Sequence, residues 1–254
     1  PTSVTGVTGV NQVALTWTAP TSNGGSVLTD YVIEYSTNSG TTWITFADSV
    51  STTASVTVSG LTNGTGYVFR VSAKNAAGTG LPSTSSSSVM PRTAPSAAQS
   101  VVGIAGNEQV ALTWSAPSSN GGDTVSDYVV QYSSDGTTWT TFTDSVSSTA
   151  SCTVTGLTNG TAYTFRVAAV NAGGTGSYSV VSAAVTPFTT PDAPTAVAGV
   201  TGNAQVAVSW TVPTSNGGSA IIQYQVSYAP QGTDSYGTWS TATASQSSST
   251  SFTV

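Results

Sequence analysis

The chain has 254 residues, of which 6% are charged, and a formal net charge of −6. It has no histidine, one cysteine and four basic residues, which excludes a Ser-His-Asp triad, a zinc site of the usual kind, an internal disulfide and a phosphate-neutralising surface for nucleic acid. No uninterrupted apolar stretch approaches the roughly 20 residues that cross a bilayer, so no membrane insertion is expected in this segment.

The predicted elements come in three copies. The segment Gln12–Trp17 returns in similar form at 109–114 and at 205–210, at intervals of 97 and 96 residues. The Ser-Asn-Gly-Gly turns at 22–25, 119–122 and 215–218 keep the same spacing. A period of this length is the size of one compact domain and is too long for a turn of a solenoid. The sequence therefore predicts one domain plan written three times.

Proline-rich segments separate the copies. They are Pro91–Pro95 and Pro187–Pro194, and they set the predicted domains at residues 1–91, 95–187 and 191–254, the last of them partial. We name these domains module 1, module 2 and module 3. Because proline fixes φ and favours extended backbone, the linkers are predicted to be short and semi-rigid, and the modules to form an extended rod.

Within a copy, apolar residues alternate with polar ones. In module 1 the alternation runs through 13–18, 31–36 and 67–74, and turn sequences such as Asn38-Ser39-Gly40 separate these runs. A period of two is typical of half-buried antiparallel strands. Each copy has about seven short strands in some 90 residues, and such strands can bury their apolar face only by packing on a second sheet. Each module is therefore predicted to be a two-layer all-β sandwich.

A linked set of residues in modules 1 and 2 resembles a known family. Module 1 has Trp17, Tyr31, Tyr35, Trp43 and the segment 60–75, which reads Gly-Leu-Thr-Asn-Gly-Thr-x-Tyr-x-Phe-Arg-Val-x-Ala-x-Asn. The matching residues of module 2 are Trp114, Tyr128, Tyr132, Trp139, Leu157, Tyr163, Phe165, Arg166, Val167 and Asn171. The pattern resembles the immunoglobulin-like fibronectin type III domain, in the low-charge form common in bacterial and phage proteins.

This resemblance implies two sheets, with strands A, B and E packed against C, C′, F and G. It also implies that Tyr67 and Tyr163 are tyrosine-corner residues. Members of the family serve in adhesion, in spacing, and as parts of secreted enzymes and virions, so the fold alone does not assign a function.

Module 3 departs from the pattern at its end. Ser251–Val254 aligns with Ser55–Val58, after which module 1 continues into strands F and G. Module 3 is therefore expected to hold strands A to E only. The side chains expected to lose their cover are Trp210, Ile222, Tyr224 and Tyr228. Two interpretations stay open: the sequence is a segment of a longer protein, which a start at Pro1 also suggests, or another chain supplies the missing strands.

Loops at one end of each module are the candidate ligand sites. The asparagines of the three Asn-Gly-Gly turns are Asn23, Asn120 and Asn216. Three tryptophans lie elsewhere on the modules: Trp43, Trp139 and Trp239. Loops at sandwich ends often bind ligands, and asparagine and aromatic faces suit surface glycans. The alternative is that the glycines serve backbone conformation and each tryptophan packs on its own sheet.

The remaining polar residues are assigned structural roles. Arg70 on strand F faces Glu34 on strand C, which predicts an exposed ion pair, whereas Arg166 faces Gln131. Because module 2 lacks the acid, the pair is interpreted as local support and not as a site.

No catalytic residue, metal site or cofactor is predicted. Cys152 occupies the position of Val56, so it is interpreted as a small core hydrophobe and not as a nucleophile. The aspartates lie at strand starts and in turns, without a calcium-binding run of alternating acids. Asn63 and Asn159 stand in N-glycosylation sequons, but tight turns require the same residues.

The predicted function is non-catalytic: spacing and presentation within an extracellular fibre, a cell-surface protein or a virion appendage, with other protein subunits as partners. Serine and threonine make up about a third of the chain, so little of its stability depends on charges that salt screens. Two alternatives stay open. The modules are accessory domains of a secreted polysaccharide-degrading enzyme, or they bind a receptor or surface glycans directly.

Overall fold

The computed structural model describes residues 1–230, 239–242 and 248–254. All regular elements in this part of the chain are β-strands, which confirms the predicted all-β class. Module 1 contains β1 (Thr2–Gly9), β2 (Gln12–Thr18), β3 (Leu28–Ser36), β4 (Ile44–Phe46), β5 (Ser55–Ser59), β6 (Val68–Asn75) and β7 (Gly78–Thr79). Module 2 contains β8 (Gln99–Gly106), β9 (Gln109–Ser115), β10 (Asp127–Ser133), β11 (Thr140–Thr141), β12 (Ser151–Thr155), β13 (Thr164–Asn171) and β14 (Gly174–Thr175). Module 3 contains β15 (Thr195–Gly202), β16 (Gln205–Thr211), β17 (Val226–Tyr228), β18 (Ser240–Ala242) and β19 (Ser251–Thr253).

Modules 1 and 2 each form two antiparallel sheets. In module 1 the strand orders are β1-β2-β5 and β4-β3-β6-β7, and module 2 repeats them as β8-β9-β12 and β11-β10-β13-β14. This is the arrangement of strands A, B and E against C, C′, F and G that the resemblance implied. In the described residues no helix is long and apolar enough to cross a membrane.

The core of each sandwich lies between its two sheets. In β2 the side chains of Val13, Leu15 and Trp17 are buried while their neighbours are exposed, as the period of two predicts. They pack with Ile33 and Phe69 of the opposite sheet. The core of module 2 is built from the corresponding residues, among them Val110, Leu112, Trp114, Val130 and Phe165.

The tyrosine corner is present in modules 1 and 2. The Tyr67 hydroxyl accepts a hydrogen bond from the backbone N–H of Thr62 at 3.0 Å. Tyr163 accepts the equivalent bond from Thr158 at 3.2 Å. These bonds confirm the role that the resemblance implied for the two tyrosines and fix the loop that precedes strand F.

Strand G pairs with strand F at every third residue. In module 1 the N–H groups that donate to strand F carbonyls belong to Gly80, Ser83, Ser86 and Val89. These donors are three residues apart, whereas donors on one edge of a pleated strand are two apart, so only β7 has regular strand geometry. The hydroxyls of Ser83 and Ser86 accept the N–H groups of Val71 and Phe69 at 3.1 and 3.0 Å. The serine hydroxyls thereby accept backbone N–H groups of strand F that would otherwise donate to the carbonyls of a regular neighbouring strand.

Module 3 contains a three-stranded sheet, β15-β16-β19, and the strand pair β17-β18. Ile222 and Tyr228 are 78% and 47% exposed, as expected. The expectation is wrong for Tyr224, which is only 9% exposed. Its ring packs edge-to-face on the Trp210 ring of β16 at 5.2 Å between centroids, and this contact covers it.

Candidate functional site

The linker between modules 1 and 2 is hydrogen-bonded to the module that precedes it. The carbonyl of Pro91 accepts the N–H of Gly64 at 2.9 Å, and the N–H of Arg92 donates to Gly9 at 3.3 Å. Pro91 is buried. The end of strand G is thus held against two turns of module 1.

The same linker is hydrogen-bonded to the module that follows. The N–H of Thr93 donates to the carbonyl of Gly121 at 2.9 Å. The side-chain amide of Asn171 donates to the carbonyls of Thr93 and Asn120 at 2.9 and 2.6 Å. Asn171 lies at the end of strand F and is buried. Its amide therefore joins the Asn-Gly-Gly turn, the linker and the sheet of module 2.

The two modules also meet backbone to backbone. Gly122 has a φ of 88°, and a Cβ at this position would overlap the backbone of Asn63 and Gly64. Glycine is required here for both the left-handed backbone and the close approach. The Asn-Gly-Gly turn of module 2 is therefore a contact surface for module 1.

An ion pair flanks this junction. The Arg92 guanidinium donates from Nη1 to Oδ2 of Asp123. This hydrogen bond lowers the pKa of the Asp123 carboxyl below its ordinary value. Both side chains are partly exposed, so the pair contributes little free energy to the junction.

The junction between modules 2 and 3 repeats the backbone bonds without the ion pair. Gly160 donates to Pro187 at 2.9 Å, and Thr189 donates to Gly217 at 2.7 Å. Phe188 stands at the position of Arg92, and Ser219 at the position of Asp123. The junction geometry is thus set by backbone groups and glycines, and the charged pair is an addition.

The structure places two of the three candidate loop asparagines in these junctions. Asn120 and Asn216 lie in the turns that contact the preceding module, and Asn23 lies in the equivalent turn of module 1. In each turn the side-chain oxygen accepts the N–H of the second glycine, at 3.0, 3.0 and 2.9 Å. The three asparagines therefore shape turns, and glycan binding by them stays a prediction. The sequence identified the turns and placed Asn171 in the family pattern, but it did not predict the hydrogen bond from Asn171 to Thr93.

Two of the tryptophans are stacked on arginines of their own sheet. The Arg70 guanidinium lies 4.2 Å from the ring centroid of Trp43. Arg166 lies 4.1 Å from Trp139 and 4.4 Å from Tyr178, between the two rings. Each of these two tryptophans thus packs on an arginine of its own module, and the arginine covers one of the aromatic faces that a sugar would need. Trp239 is 63% exposed.

The predicted pair on strands C and F is present. Arg70 donates from Nε and Nη2 to the two carboxylate oxygens of Glu34 at 2.7 and 3.0 Å. Arg166 donates from Nε to Oε1 of Gln131 at 2.9 Å. Both arginines stack on a tryptophan but only one has an acidic partner, so stacking is the feature that the two modules share.

The single cysteine lies at the edge of the module 2 core. Cys152 is half-buried, and its Sγ donates to Oδ2 of Asp144 at 3.4 Å. Burial, with the hydrogen bond and charge of Asp144, raises the pKa of the thiol to about 12. The thiolate needed for nucleophilic attack is therefore disfavoured at neutral pH. In the described residues, no three His, Cys, Asp or Glu side chains cluster as metal ligands.

The sequon asparagines are engaged in turns. Asn63 accepts the N–H of Asn11 on its Oδ1 at 2.8 Å and donates from Nδ2 to the Asn11 side chain at 3.2 Å. Asn159 makes the equivalent bonds to Glu108 and Asn107. Both amides thus tie the loop before strand F to the turn between strands A and B.

The family model of the Fibronectin type III domain matches residues 1–89 and 93–185. The chain belongs to the fibronectin type III family. The fold is also that of a solved three-domain segment of titin, "domains A168-A170", with a TM-score of 0.51, 21% identity and coverage of 70% of this chain and 60% of that one.

Two relatives of different kinds are similar to more than two thirds of this chain. Myomesin-2 of Homo sapiens is 32% identical over 179 residues, which cover 68% of this chain and 12% of that protein. Exoglucanase B of Cellulomonas fimi is 32% identical over 240 residues, which cover 87% of this chain and 20% of that protein. The chain thus spans a fifth or less of the length of these relatives. Tandem fibronectin type III domains with such relatives are structural or spacer modules.

Proposed function

We propose that the chain is a non-catalytic, semi-rigid spacer in an extracellular fibre, a cell-surface protein or a virion appendage. Its partners in this proposal are other protein subunits of the same assembly. The observation that carries the proposal is the junction, which recurs between modules 1 and 2 and between modules 2 and 3 with the same backbone bonds.

The repeated junction supports spacing because it limits how consecutive modules rotate. Each linker makes hydrogen bonds to the modules on both of its sides, so a change of angle between modules breaks several bonds at once. A flexible Gly/Ser linker would have no such bonds. The sparse charge supports an exposed setting, because few of the contacts weaken when salt concentration changes.

Small-angle X-ray scattering of the whole chain tests the spacer. Strands of about eight residues at about 3.3 Å per residue add roughly 25–30 Å per module, so we expect a maximum dimension of roughly 80 Å that does not change with salt. A compact particle, or a broad distribution of dimensions, would contradict it. Antibodies against the modules should label intact cells or particles of the source without permeabilisation if the location is correct.

A second candidate is an accessory role in a secreted polysaccharide-degrading enzyme. The match to exoglucanase B, which extends over 87% of this chain, favours it. A glycoside-hydrolase domain in the same reading frame would support this candidate, and fibre or capsid sequences would exclude it. Binding of the whole chain to insoluble cellulose, or to a glycan array, would show whether the modules contact carbohydrate themselves.

A further inference from the structure

Module 1 has the groove that holds the linker in module 2. The groove has a volume of about 430 Å³ and lies between the Asn-Gly-Gly turn and the turn that joins strands F and G. Among the residues that line it are Ser22, Asn23, Gly24, Asn75, Ala77 and Gly80. The corresponding groove of module 2 is filled by the segment 93–95.

The backbone groups that hold the linker in module 2 have counterparts in module 1. Thr93 donates to Gly121, and Ser96 donates to Ser119, and the positions equivalent to these acceptors are Gly24 and Ser22. Asn75 already donates to the carbonyl of Asn23 at 2.7 Å, as Asn171 does to Asn120. The hydrogen-bonding surface for a linker is therefore present in module 1.

One residue that lines the groove differs between modules 1 and 2. A Cβ at Gly173 would lie 2.6 Å from the carbonyl carbon and oxygen of Thr93. The equivalent residue of module 1 is Ala77, which has that Cβ. The atoms that would be overlapped are backbone atoms of the linker, fixed by their own hydrogen bonds, so they cannot move aside as a flexible side chain would.

We propose that the residue at this position decides whether a module docks rigidly on its predecessor. Glycine, as in module 2, admits an extended Thr-x-Pro linker, and alanine, as in module 1, excludes it from the groove. A copy of the module placed ahead of module 1 would then be joined through a mobile hinge, whereas the junction between modules 1 and 2 is tight.

The inference refines the spacer proposal, and it is tested on the whole chain with a second copy of residues 95–193 fused ahead of Pro1. Hydrogen–deuterium exchange of the fused linker should match that of an unstructured peptide. The same fusion with Ala77→Gly should slow exchange of the linker amides by about tenfold, since two of them gain acceptors. Slow exchange in the fusion that keeps Ala77 would overturn the inference.

The reciprocal change keeps the test independent of the fusion. Gly173→Ala in the unextended chain should raise exchange of the Thr93 and Ser96 amides, which donate to Gly121 and Ser119, toward the unstructured rate, and Ala77→Gly there should change nothing. Unchanged exchange of these two amides in Gly173→Ala, with both sandwiches folded, would also overturn the inference. A failure of the spacer proposal would appear in a different measurement, as a compact particle or a broad distribution of dimensions in small-angle scattering of the unmodified chain.

Discussion

Asp135 and Asn38 occupy the same turn in two modules, but only one of them titrates. Oδ1 of Asp135 accepts the N–H groups of Thr137 and Thr138, both at 2.7 Å. Oδ1 of Asn38 accepts the N–H of Thr42 at 2.9 Å. The backbone hydrogen bonds hold the pKa of the Asp135 carboxyl well below its ordinary value. An acidic side chain with a lowered pKa in the folded state stabilises the fold above its unfolded pKa, and this contribution is lost as pH falls.

Asp135→Asn should therefore make the stability of module 2 less sensitive to acid. The difference should appear as pH falls below about 4, the pKa of the unfolded carboxyl. Asn38→Asp in module 1 is the matched variant and should add acid sensitivity there. Calorimetric unfolding at neutral and acidic pH checks both. Equal losses of Tm in Asp135→Asn and the parent chain would contradict the prediction.

The turn between strands A and B holds a left-handed residue in every module. Asn11, Glu108 and Ala204 have φ values of 56°, 55° and 54°. Asparagine tolerates this conformation better than most residues with a Cβ, and the Asn11 side chain also donates to the carbonyl of Leu61, 50 residues away, at 3.1 Å. Glutamate and alanine lack that compensation.

Glu108→Asn should stabilise module 2 by about 1 kcal/mol, because it relieves an unfavourable left-handed residue. It also offers the carbonyl of Leu157 a donor like that of Asn11. Urea unfolding measures the change. Glu108→Gln serves as the control, since it removes the charge without the preference for this backbone conformation. A gain of the same size in both variants would assign the effect to charge.

At the scale of the element, strand G depends on serine hydroxyls. The N–H of Phe69, whose side chain is fully buried, donates to the Ser86 hydroxyl at 3.0 Å. Module 2 repeats this bond between Phe165 and Ser182. Serine at these positions therefore replaces the carbonyl that a pleated strand would present to strand F.

Ser86→Ala should destabilise module 1 by about 1–3 kcal/mol, because it leaves a buried backbone donor unpaired. Ser87→Ala is the matched control and should change stability by less than about 0.5 kcal/mol, since the Ser87 side chain is exposed. Equilibrium unfolding in urea compares the two. If Ser86→Ala were as mild as its control, the hydroxyl would not be a required acceptor.

At the scale of the whole molecule, stiffness depends on the glycine contact between modules. Gly25 and Gly122 have φ values of 84° and 88°. A Cβ at Gly122 would overlap module 1, whereas one at Gly25 would meet nothing within 4 Å. Alanine substitutions at these two glycines can therefore be compared to distinguish the effect of backbone strain from the effect of losing the contact between modules.

Gly122→Ala should loosen the junction between modules 1 and 2, and Gly25→Ala should leave it intact. Both variants should lose a similar amount of stability in the affected module, because the left-handed strain is the same. Scattering and NMR relaxation report whether the modules still tumble together. Joint tumbling in Gly122→Ala would show that the contact does not restrict the modules.

The sequence alone determined the two-layer sandwiches of modules 1 and 2 and their cores, because alternation of apolar residues such as Val13, Leu15 and Trp17 is local and repeated. Only the tertiary structure decided what the Asn-Gly-Gly turns do. A tight turn and a close approach between modules require the same glycines, and the bond from Asn171 to Thr93 joins residues 78 positions apart. No local periodicity encodes such a pair, since its geometry depends on how one folded module is placed on the next.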